Sequence, residues 1–300
     1  MKQTNYIYFI LILWTAFLSA CTDKVFETFT ANSPVYMSYA DLRSAVKISP
    51  ARELNFPGKI YFKDNYIFIN EKMKGIHVFD VSDPSNPQNK GFINIPGNVD
   101  IAIKDNILYA DSYVDLVTID VSNLSSIREV GRIEKVFPYT LPTYDTKYPV
   151  AKIDETKGVV TNWEIKSVRQ ELEERYYPIY LYNDVAEKFT TNTGGIGGVA
   201  GTTYGVGGSM ARFGLYKDFL YVVNQYNIYS FKLTSTSNVT LLNTSYASWN
   251  VETLSIADNH IFLGTQNGLI TMSLDNPEKP VQIGSFAHIT ACDPVVIKGN

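Results

Sequence analysis

The chain has 300 residues, of which 45% are hydrophobic and 19% charged, and its formal net charge is -4. This composition excludes a disordered chain and a chain embedded in a membrane along its whole length. The slightly acidic balance argues against nucleic acid as a partner, because neutralising phosphates requires a basic surface.

The first element in chain order is an export signal. Lys2 gives it a basic start, and the apolar run over residues 6–18 is shorter than the roughly 20 residues that a bilayer crossing takes. The run ends in Leu18-Ser19-Ala20-Cys21, which resembles the bacterial lipobox, whose cysteine becomes the lipidated first residue of the mature chain. We predict a lipoprotein signal peptide at 1–20 and lipidation of Cys21; an ordinary secretory signal or a short anchor is the alternative.

A tether at residues 21–56, with room for a short helix, precedes a series of repeats. Each repeat has Asn or Asp at a fixed position between two runs of alternating apolar residues, and these anchor residues are separated by 41, 112, 41 and 41 positions. Alternation with period two indicates a half-buried strand, and the polar anchor is typical of a tight turn. The anchors are Asn65, Asn106, Asp218, Asn259 and Asn300.

Further strands follow each anchor. A third strand begins nine or ten residues later, as at Gly75 and Asp115, and a fourth comes after a proline-marked turn. Four short antiparallel strands in about forty residues are the size of a propeller blade. The sequence therefore predicts an all-β fold, a β-propeller of four-stranded blades over residues 57–300.

The spacing also bears on the number of blades. A separation of 112 holds two periods and about thirty further residues, so one additional repeat fits between Asn106 and Asp218, giving about five blades. The extra residues form an insertion at about 139–210 that includes a Gly-rich loop, and its segment 163–175 suits either a helix or a strand. Because Asn300 is itself an anchor, we expect an incomplete ring.

Two third strands carry a family resemblance. Residues 75–84 (Gly-Ile-His-Val-Phe-Asp-Val-Ser-Asp-Pro) and 115–122 (Asp-Leu-Val-Thr-Ile-Asp-Val-Ser) resemble the LVIVD repeat, and with the lipobox and residues 207–213 they are similar to LVIVD-repeat lipoproteins of Gram-negative bacteria. The resemblance covers roughly residues 35–300, although Lys232 replaces the terminal Asp in one repeat. It implies a propeller, lipid-anchored to the outer membrane on its periplasmic face or at the cell surface, and no established activity.

Cys292 is the only other cysteine besides Cys21. If Cys21 carries lipid, Cys292 is an odd thiol in an oxidising compartment, where it is either buried and inert or paired. The family resemblance suggests a partner cysteine beyond the end of the chain.

Motifs that carry chemistry are scarce. The histidines His77, His260 and His288 occupy different repeat positions, so no metal site is predicted, and neither a cofactor nor a catalytic residue is indicated. One set of charges shares a repeat position, six or seven residues before the anchors, where first strands enter the central channel. We call it the mouth cluster: Lys59, Asp100, Arg212, Glu252 and Asp293.

Two classes of function remain. A membrane-anchored binding or scaffolding module, with an envelope protein or glycan as its partner, agrees with regular blades and the absence of catalytic motifs. The alternative is an exported hydrolase or lyase with its site at the channel mouth. The mixed charges of the mouth cluster favour a polar neutral ligand, with Arg212 as its directional donor.

Overall fold

The computed structural model describes residues 26–171, 212–234 and 238–287. The predicted signal peptide, Cys21, the Gly-rich segment, Cys292 and Asp293 lie outside these residues. The described residues fall into two compact units. The smaller contains 26–33, 145–153 and 164–171, and the larger contains 34–144, 154–163, 212–234 and 238–287.

Two strands and a helix precede the repeats: β1 (Phe26–Met37), α1 (Tyr39–Ser44) and β2 (Lys47–Ser49). Ser38 begins α1, because its hydroxyl oxygen accepts a hydrogen bond from the backbone N–H of Asp41 at 3.1 Å. β2 pairs with the outer strand of the first repeat.

The repeats form four antiparallel sheets, which are the blades of the propeller. Blade 1 contains β3 (Pro57–Lys63), β4 (Tyr66–Glu71), β5 (Gly75–Asp80) and β6 (Gln88–Asn94). Blade 2 contains β7 (Ile101–Lys104), β8 (Ile107–Ser112), β9 (Asp115–Asp120) and β10 (Arg128–Ile133). After β11 (Val159–Glu171), blade 3 contains β12 (Phe213–Tyr216), β13 (Phe219–Val223), β14 (Asn227–Leu233) and β15 (Val239–Tyr246). Blade 4 contains β16 (Val251–Ala257), β17 (His260–Thr265), β18 (Gly268–Ser273) and β19 (Val281–Ala287).

The four described anchors occupy equivalent two-residue turns between the first and second strands, as the repeat predicts. The residue before each anchor has a positive φ of 46–53°, and three of the four are aspartates, which tolerate this conformation. In each blade the anchor carbonyl also accepts a hydrogen bond from the last residue of the third strand or the one after it, for example from Val81 N–H to Asn65 at 2.8 Å. We call the end with these turns the lower end, and the end where first strands begin the upper end.

The blades pack through their apolar faces. The first strands contact one another in chain order, β3 with β7, β7 with β12 and β12 with β16, and a buried apolar cluster separates each pair of blades. Ile101 of β7 and Leu254 of β16 each belong to the apolar alternation of a first strand, and they are 0% and 3% exposed. Burying one such side chain stabilises the fold by about 1.5–3 kcal/mol. The predicted fold class, an all-β propeller of four-stranded blades, is confirmed.

The described residues contain four of the roughly five predicted blades. β7 and β12 contact directly and share a buried cluster, so blades 2 and 3 are neighbours. No further blade lies between them in the described part of the chain. Segment 163–171 of the predicted insertion is a strand, part of β11.

The first and last described blades expose apolar side chains. Ile60 and Phe62 of β3 are 62% and 65% exposed, and Phe286 of β19 is 66% exposed. Equivalent side chains of inner blades are covered by the neighbouring blade, as Ile101 and Ile103 are. This exposure is consistent with the predicted open ring.

The smaller unit is organised around Asn32, which is 1% exposed. Its side-chain amide donates to the carbonyls of Asp145 and Tyr148, both at 2.8 Å, and its backbone bridges to Val150. β1 and β11 pair as a two-stranded sheet. The buried amide of Asn32 thus donates hydrogen bonds to backbone carbonyls of the segment 145–148, which has little regular structure of its own.

Candidate functional site

Four members of the mouth cluster are described, and all lie at the upper ends of first strands. Lys59 is in β3, Asp100 directly precedes β7, Arg212 directly precedes β12, and Glu252 is in β16. Because these four strands contact in chain order, their beginnings collect at one end of the blades. Asp293, the fifth member, lies outside the described residues.

Asp100 is the centre of this arrangement and is completely buried. Its Oδ1 forms an ion pair with Lys59 Nζ at 3.0 Å, and its Oδ2 accepts the backbone N–H groups of Arg212 and of Phe213, the latter at 2.8 Å. Lys59 Nζ also donates to the carbonyl of Phe213 at 3.4 Å. One carboxylate therefore joins blades 1, 2 and 3, and a buried charge is tolerated because it is paired and hydrogen-bonded.

A second carboxylate, Asp111 at the end of β8, lies beside Asp100. Its Oδ1 accepts the backbone N–H groups of Val99 and Asp100 at 2.9 and 3.1 Å, and the side-chain amide of Asn98 at 2.8 Å. Burial, together with the negative charge of Asp100, raises the pKa of Asp111 to about 6 against the opposing effect of these hydrogen bonds and of Arg212. Asp111 thus exchanges its proton close to neutral pH.

Two buried amides connect the carboxylates to blade 1. Asn70 and Asn98 are both 0% exposed, and the side-chain amide of Asn70 donates to Asn98 Oδ1 at 2.5 Å. Asn98 in turn donates to the carbonyl of Asp100 at 2.8 Å. Gly58 is required beside them, since a Cβ there would stand 2.3 Å from Asn70 Oδ1.

The amide and carboxylate side chains around Asp100 were missed by sequence reasoning, although a repeat signal exists. Asn70 and Asp111 both stand five residues after their anchors, where Val223 and Gly264 occupy blades 3 and 4. A polar residue in two of four equivalent, otherwise apolar strand positions is the sign that could have identified them. Asn98 lies outside a strand and gives no such signal.

Arg212 faces a small cavity between blades 2 and 3. The cavity has a volume of about 40 Å³, and its polar lining includes Asp111, Thr140, Arg212 and Asn224. Such a volume is close to that of one water molecule. Burial, and after it the charge of Arg212, lowers the pKa of Lys72, so a second cation stands near the guanidinium. Glu252 Oε2 is buried without a hydrogen-bond partner within the described residues.

Another charged cluster, in blade 1, has a structural role. Glu71 is 1% exposed and contacts Arg52, Lys74 and His77 at 2.8–3.0 Å. Burial acts to raise the pKa of Glu71, but hydrogen bonds from Lys74 and His77 and the charge of Arg52 outweigh it and lower the pKa to about 2. The His77 imidazole is thereby used in a hydrogen bond with Glu71, and no group of three metal-ligating side chains occurs in the described part of the chain.

The aspartates that end the repeat motif lie at the lower end and act locally. Asp80 Oδ1 accepts the backbone N–H of Ser82 at 3.0 Å, and Asp120 Oδ1 accepts that of Ser122 at 2.9 Å. In blade 4, Ser273 does the same for Asp275 at 3.0 Å. These side chains cap the turn after the third strand, which explains the motif without any ligand.

Comparisons with known proteins identify the repeat. The chain carries LVIVD repeats: the family model of that repeat matches residues 58–94 and 97–134, which coincide with blades 1 and 2. A comparison with curated proteins finds no match.

Solved structures with a similar fold share little sequence with this chain. A crystal structure of a protein from Lactobacillus plantarum is 9% identical, with a TM-score of 0.47, over 79% of this chain and 57% of its own. The periplasmic gluconolactonase of Pseudomonas aeruginosa is 8% identical, with a TM-score of 0.45, over 79% of this chain and 55% of its own. The chain therefore spans little more than half the length of these proteins, and the likeness concerns the fold alone.

The helices in the described ranges are short. None of them has the length and hydropathy that a bilayer crossing requires.

Proposed function

We propose that the protein is an exported, lipid-anchored β-propeller that works as a binding or scaffolding module at the cell envelope. The lipobox resemblance supports attachment to the outer membrane through Cys21. The LVIVD repeats and the regular blades support a rigid scaffold that presents side chains at one end. The ligand is a polar component of the envelope, a protein or a glycan.

The observation that carries this proposal is the fixed position of Arg212 at the junction of three blades. Asp100 accepts the backbone N–H of Arg212 and holds Lys59 as its counter-ion, while Arg212 lines the cavity beside Asp111. Because Lys59 and Asp100 neutralise each other, the site does not select a strongly charged ligand. A guanidinium carries its N–H donors in a planar fork, a geometry that suits an oxygen-rich group.

The test is affinity capture from the native envelope with the full-length lipoprotein. We compare the wild type with Arg212→Gln and with Arg128→Gln, an exposed arginine at the lower end whose side chain is 75% accessible. A specific envelope component should bind the wild type and the control, and about tenfold less to Arg212→Gln. Equal capture by all three proteins would exclude the mouth cluster as the site.

The anchor is tested separately by metabolic labelling with a fatty acid. The wild type should take up the label and Cys21→Ser should not. Labelling that persists in the variant, or is absent from the wild type, contradicts the anchor.

One observation favours the alternative, an exported hydrolase or lyase. A carboxyl group with a pKa of about 6 next to an arginine has the properties of a general acid or base, and Asp111 is such a group. In that case, turnover of chromogenic esters or glycosides should change with pH around 6, and Asp111→Asn should abolish the change. The cavity of about 40 Å³ is smaller than any such substrate, which favours the binding function.

A further inference from the structure

Two aromatic side chains are exposed at the upper end of blade 3. Trp249, in the connection from β15 to β16, is 68% exposed, and Tyr226, in the turn from β13 to β14, is 38% exposed. Their ring centroids are 5.5 Å apart and their planes meet at 85°, so the edge of one ring faces the other. We call Tyr226 and Trp249 the aromatic pair.

The backbone beneath the aromatic pair is fixed. The N–H groups of Ala247 and Ser248 both donate to the carbonyl of Tyr226, at 2.8 and 3.4 Å, and the N–H of Val251 donates to Gln225 at 2.9 Å. Asn224 Oδ1 accepts the N–H of Tyr226 at 2.8 Å. The two segments are thus tied to each other, and a ligand that meets the rings pays little ordering entropy for the loops.

The two segments that carry the aromatic pair are polar and uncharged. Residues 224–227 and 247–250 contain no acidic or basic residue but do contain three asparagines, a glutamine and a serine. Asn250 donates from its side-chain amide to Gln266 Oε1 at 3.0 Å; Gln266 is exposed and Asn250 is partly exposed, so these amides have further donor and acceptor atoms for a ligand.

Exposed rings among neutral amides match one ligand chemistry in particular. A sugar ring has an apolar C–H face that packs on an aromatic ring and a rim of hydroxyl groups that hydrogen-bond to amides. An anionic lipid surface would require basic residues in these segments, and there are none. A protein partner would require a wider apolar area than two rings surrounded by amides.

We infer that the aromatic pair is a stacking subsite for a neutral glycan. The inference rests on the proposed binding function and names a ligand class for the upper end of the blades. Asn224, two residues before Tyr226, lines the same cavity as Arg212, so the pair adjoins the mouth cluster. A glycan chain on the rings would be directed towards that cavity.

The experiment measures binding of defined neutral oligosaccharides, hexamers of β-1,4-linked glucose and of N-acetylglucosamine, to the full-length protein in detergent. Calorimetry compares the wild type with Trp249→Ala, Trp249→Phe and Tyr226→Ala. Phe286→Ala serves as the matched control, because Phe286 is 66% exposed on blade 4. Thermal melting confirms that each variant is folded, as expected for side chains that are largely in solvent.

We expect one hexamer to bind the wild type and the control equally. Trp249→Ala should weaken it by about tenfold or more, and Trp249→Phe, which keeps a ring, by less. Hexamers that bind no protein, or bind Trp249→Ala as well as the wild type, overturn the inference.

A vesicle arm distinguishes a membrane surface from a glycan. The full chain with Cys21→Ser is sedimented with phosphatidylethanolamine vesicles, with and without Trp249→Ala. Sedimentation that depends on Trp249 assigns the aromatic pair to lipid and also overturns the inference.

The proposed function fails separately from this inference. If Arg212→Gln abolishes capture of an envelope component that Trp249→Ala still captures, the binding module stands and the glycan subsite falls. If the hexamer binds through Trp249 and Arg212→Gln captures the envelope component as well as the wild type does, the glycan subsite is supported. The mouth cluster is then excluded as the binding site.

Discussion

The upper and lower ends of the blades use the same side chain, aspartate, for different purposes. At the lower end, Asp80 and Asp120 cap turns through hydrogen bonds to the backbone two positions away. At the upper end, Asp100 is completely buried and bonds to Lys59, 41 residues earlier, and to Phe213, 113 residues later. The repeat motif is therefore local and structural, whereas the candidate site is assembled from distant parts of the chain.

The difference matters because burial changes the energetics of the same carboxylate. An exposed aspartate that caps a turn competes with water, so its net effect on stability is small. A buried aspartate that loses its partners, or a buried lysine that loses its aspartate, leaves a charge without compensation. The two ends should respond differently to the same substitution.

The largest effect is expected for Asp100→Ala. It removes the counter-ion of Lys59 and the acceptor of two backbone N–H groups in blade 3, and should lower the free energy of unfolding by about 3–5 kcal/mol. Urea denaturation measures this loss, with Asp120→Ala as the control at the lower end. Similar losses in both variants would contradict the distinction between the ends.

Asp111→Asn should make stability less dependent on pH. The folded-state pKa of Asp111 is raised to about 6 from 3.8, so the wild type loses stability as pH rises through this window and stays lower above it. The loss amounts to about 2–3 kcal/mol, and the variant, whose amide oxygen still accepts the same hydrogen bonds, does not suffer it. We therefore expect the melting temperature of the variant, relative to that of the wild type, to be higher at pH 8 than at pH 4.

Glu71→Gln provides the comparison of opposite sign. The pKa of Glu71 is lowered to about 2 from 4.5, so its contribution to stability is present above pH 4.5 and is lost as pH falls towards 2. This variant should therefore be less stable than the wild type at pH 8. If the stability of Asp111→Asn and of Glu71→Gln, each relative to the wild type, changed with pH in the same direction, the opposite pKa shifts of Asp111 and Glu71 would be refuted.

A double-mutant cycle sharpens the comparison between ion pairs. Lys59→Met and Asp100→Asn should couple by about 1–3 kcal/mol, because the pair is buried and 3.0 Å apart. Lys90→Met and Asp80→Asn form the matched cycle in a solvent-exposed pair at 3.3 Å, where no measurable coupling is expected. Denaturant titrations of all single and double variants give both values, and equal coupling would be inconsistent with the burial of Asp100.

The smallest effect is expected for Asp120→Ala. The variant loses the cap on Ser122, and its melting temperature should fall by about 2 °C or less. Envelope capture through the mouth cluster should not change, because the turn is at the opposite end of the blade. A loss of capture in this variant would move the site to the repeat motif.

Much of the fold was predictable because its signals are local. The alternation of apolar residues, the polar anchors and the third strands each involve fewer than about ten consecutive residues, and they predicted both the blades and the turns at Asn65 and Asn259. Which blades are neighbours was not predictable in this way. A separation of 112 positions between Asn106 and Asp218 leaves open which blade follows blade 2 in space, and the contact of β7 with β12 shows that it is blade 3.

The candidate site was predictable to the extent that it follows the repeat. Lys59, Asp100 and Arg212 share a repeat position, and equivalent positions of stacked blades come together. Asn98 was missed, because its role depends on packing between strands and not on a repeat position. Tyr226 and Trp249 were missed for the same reason, since they lie 23 residues apart in two different connections.

The sequence by itself determined the blade as a unit, because period-two hydrophobicity and turn chemistry act over short distances in the chain. The tertiary structure decided which charges are buried, which aspartate has a raised pKa and which aromatic rings stay in solvent. Burial and electrostatic pairing depend on residues that are brought together from distant repeats, so no short stretch of sequence contains that information.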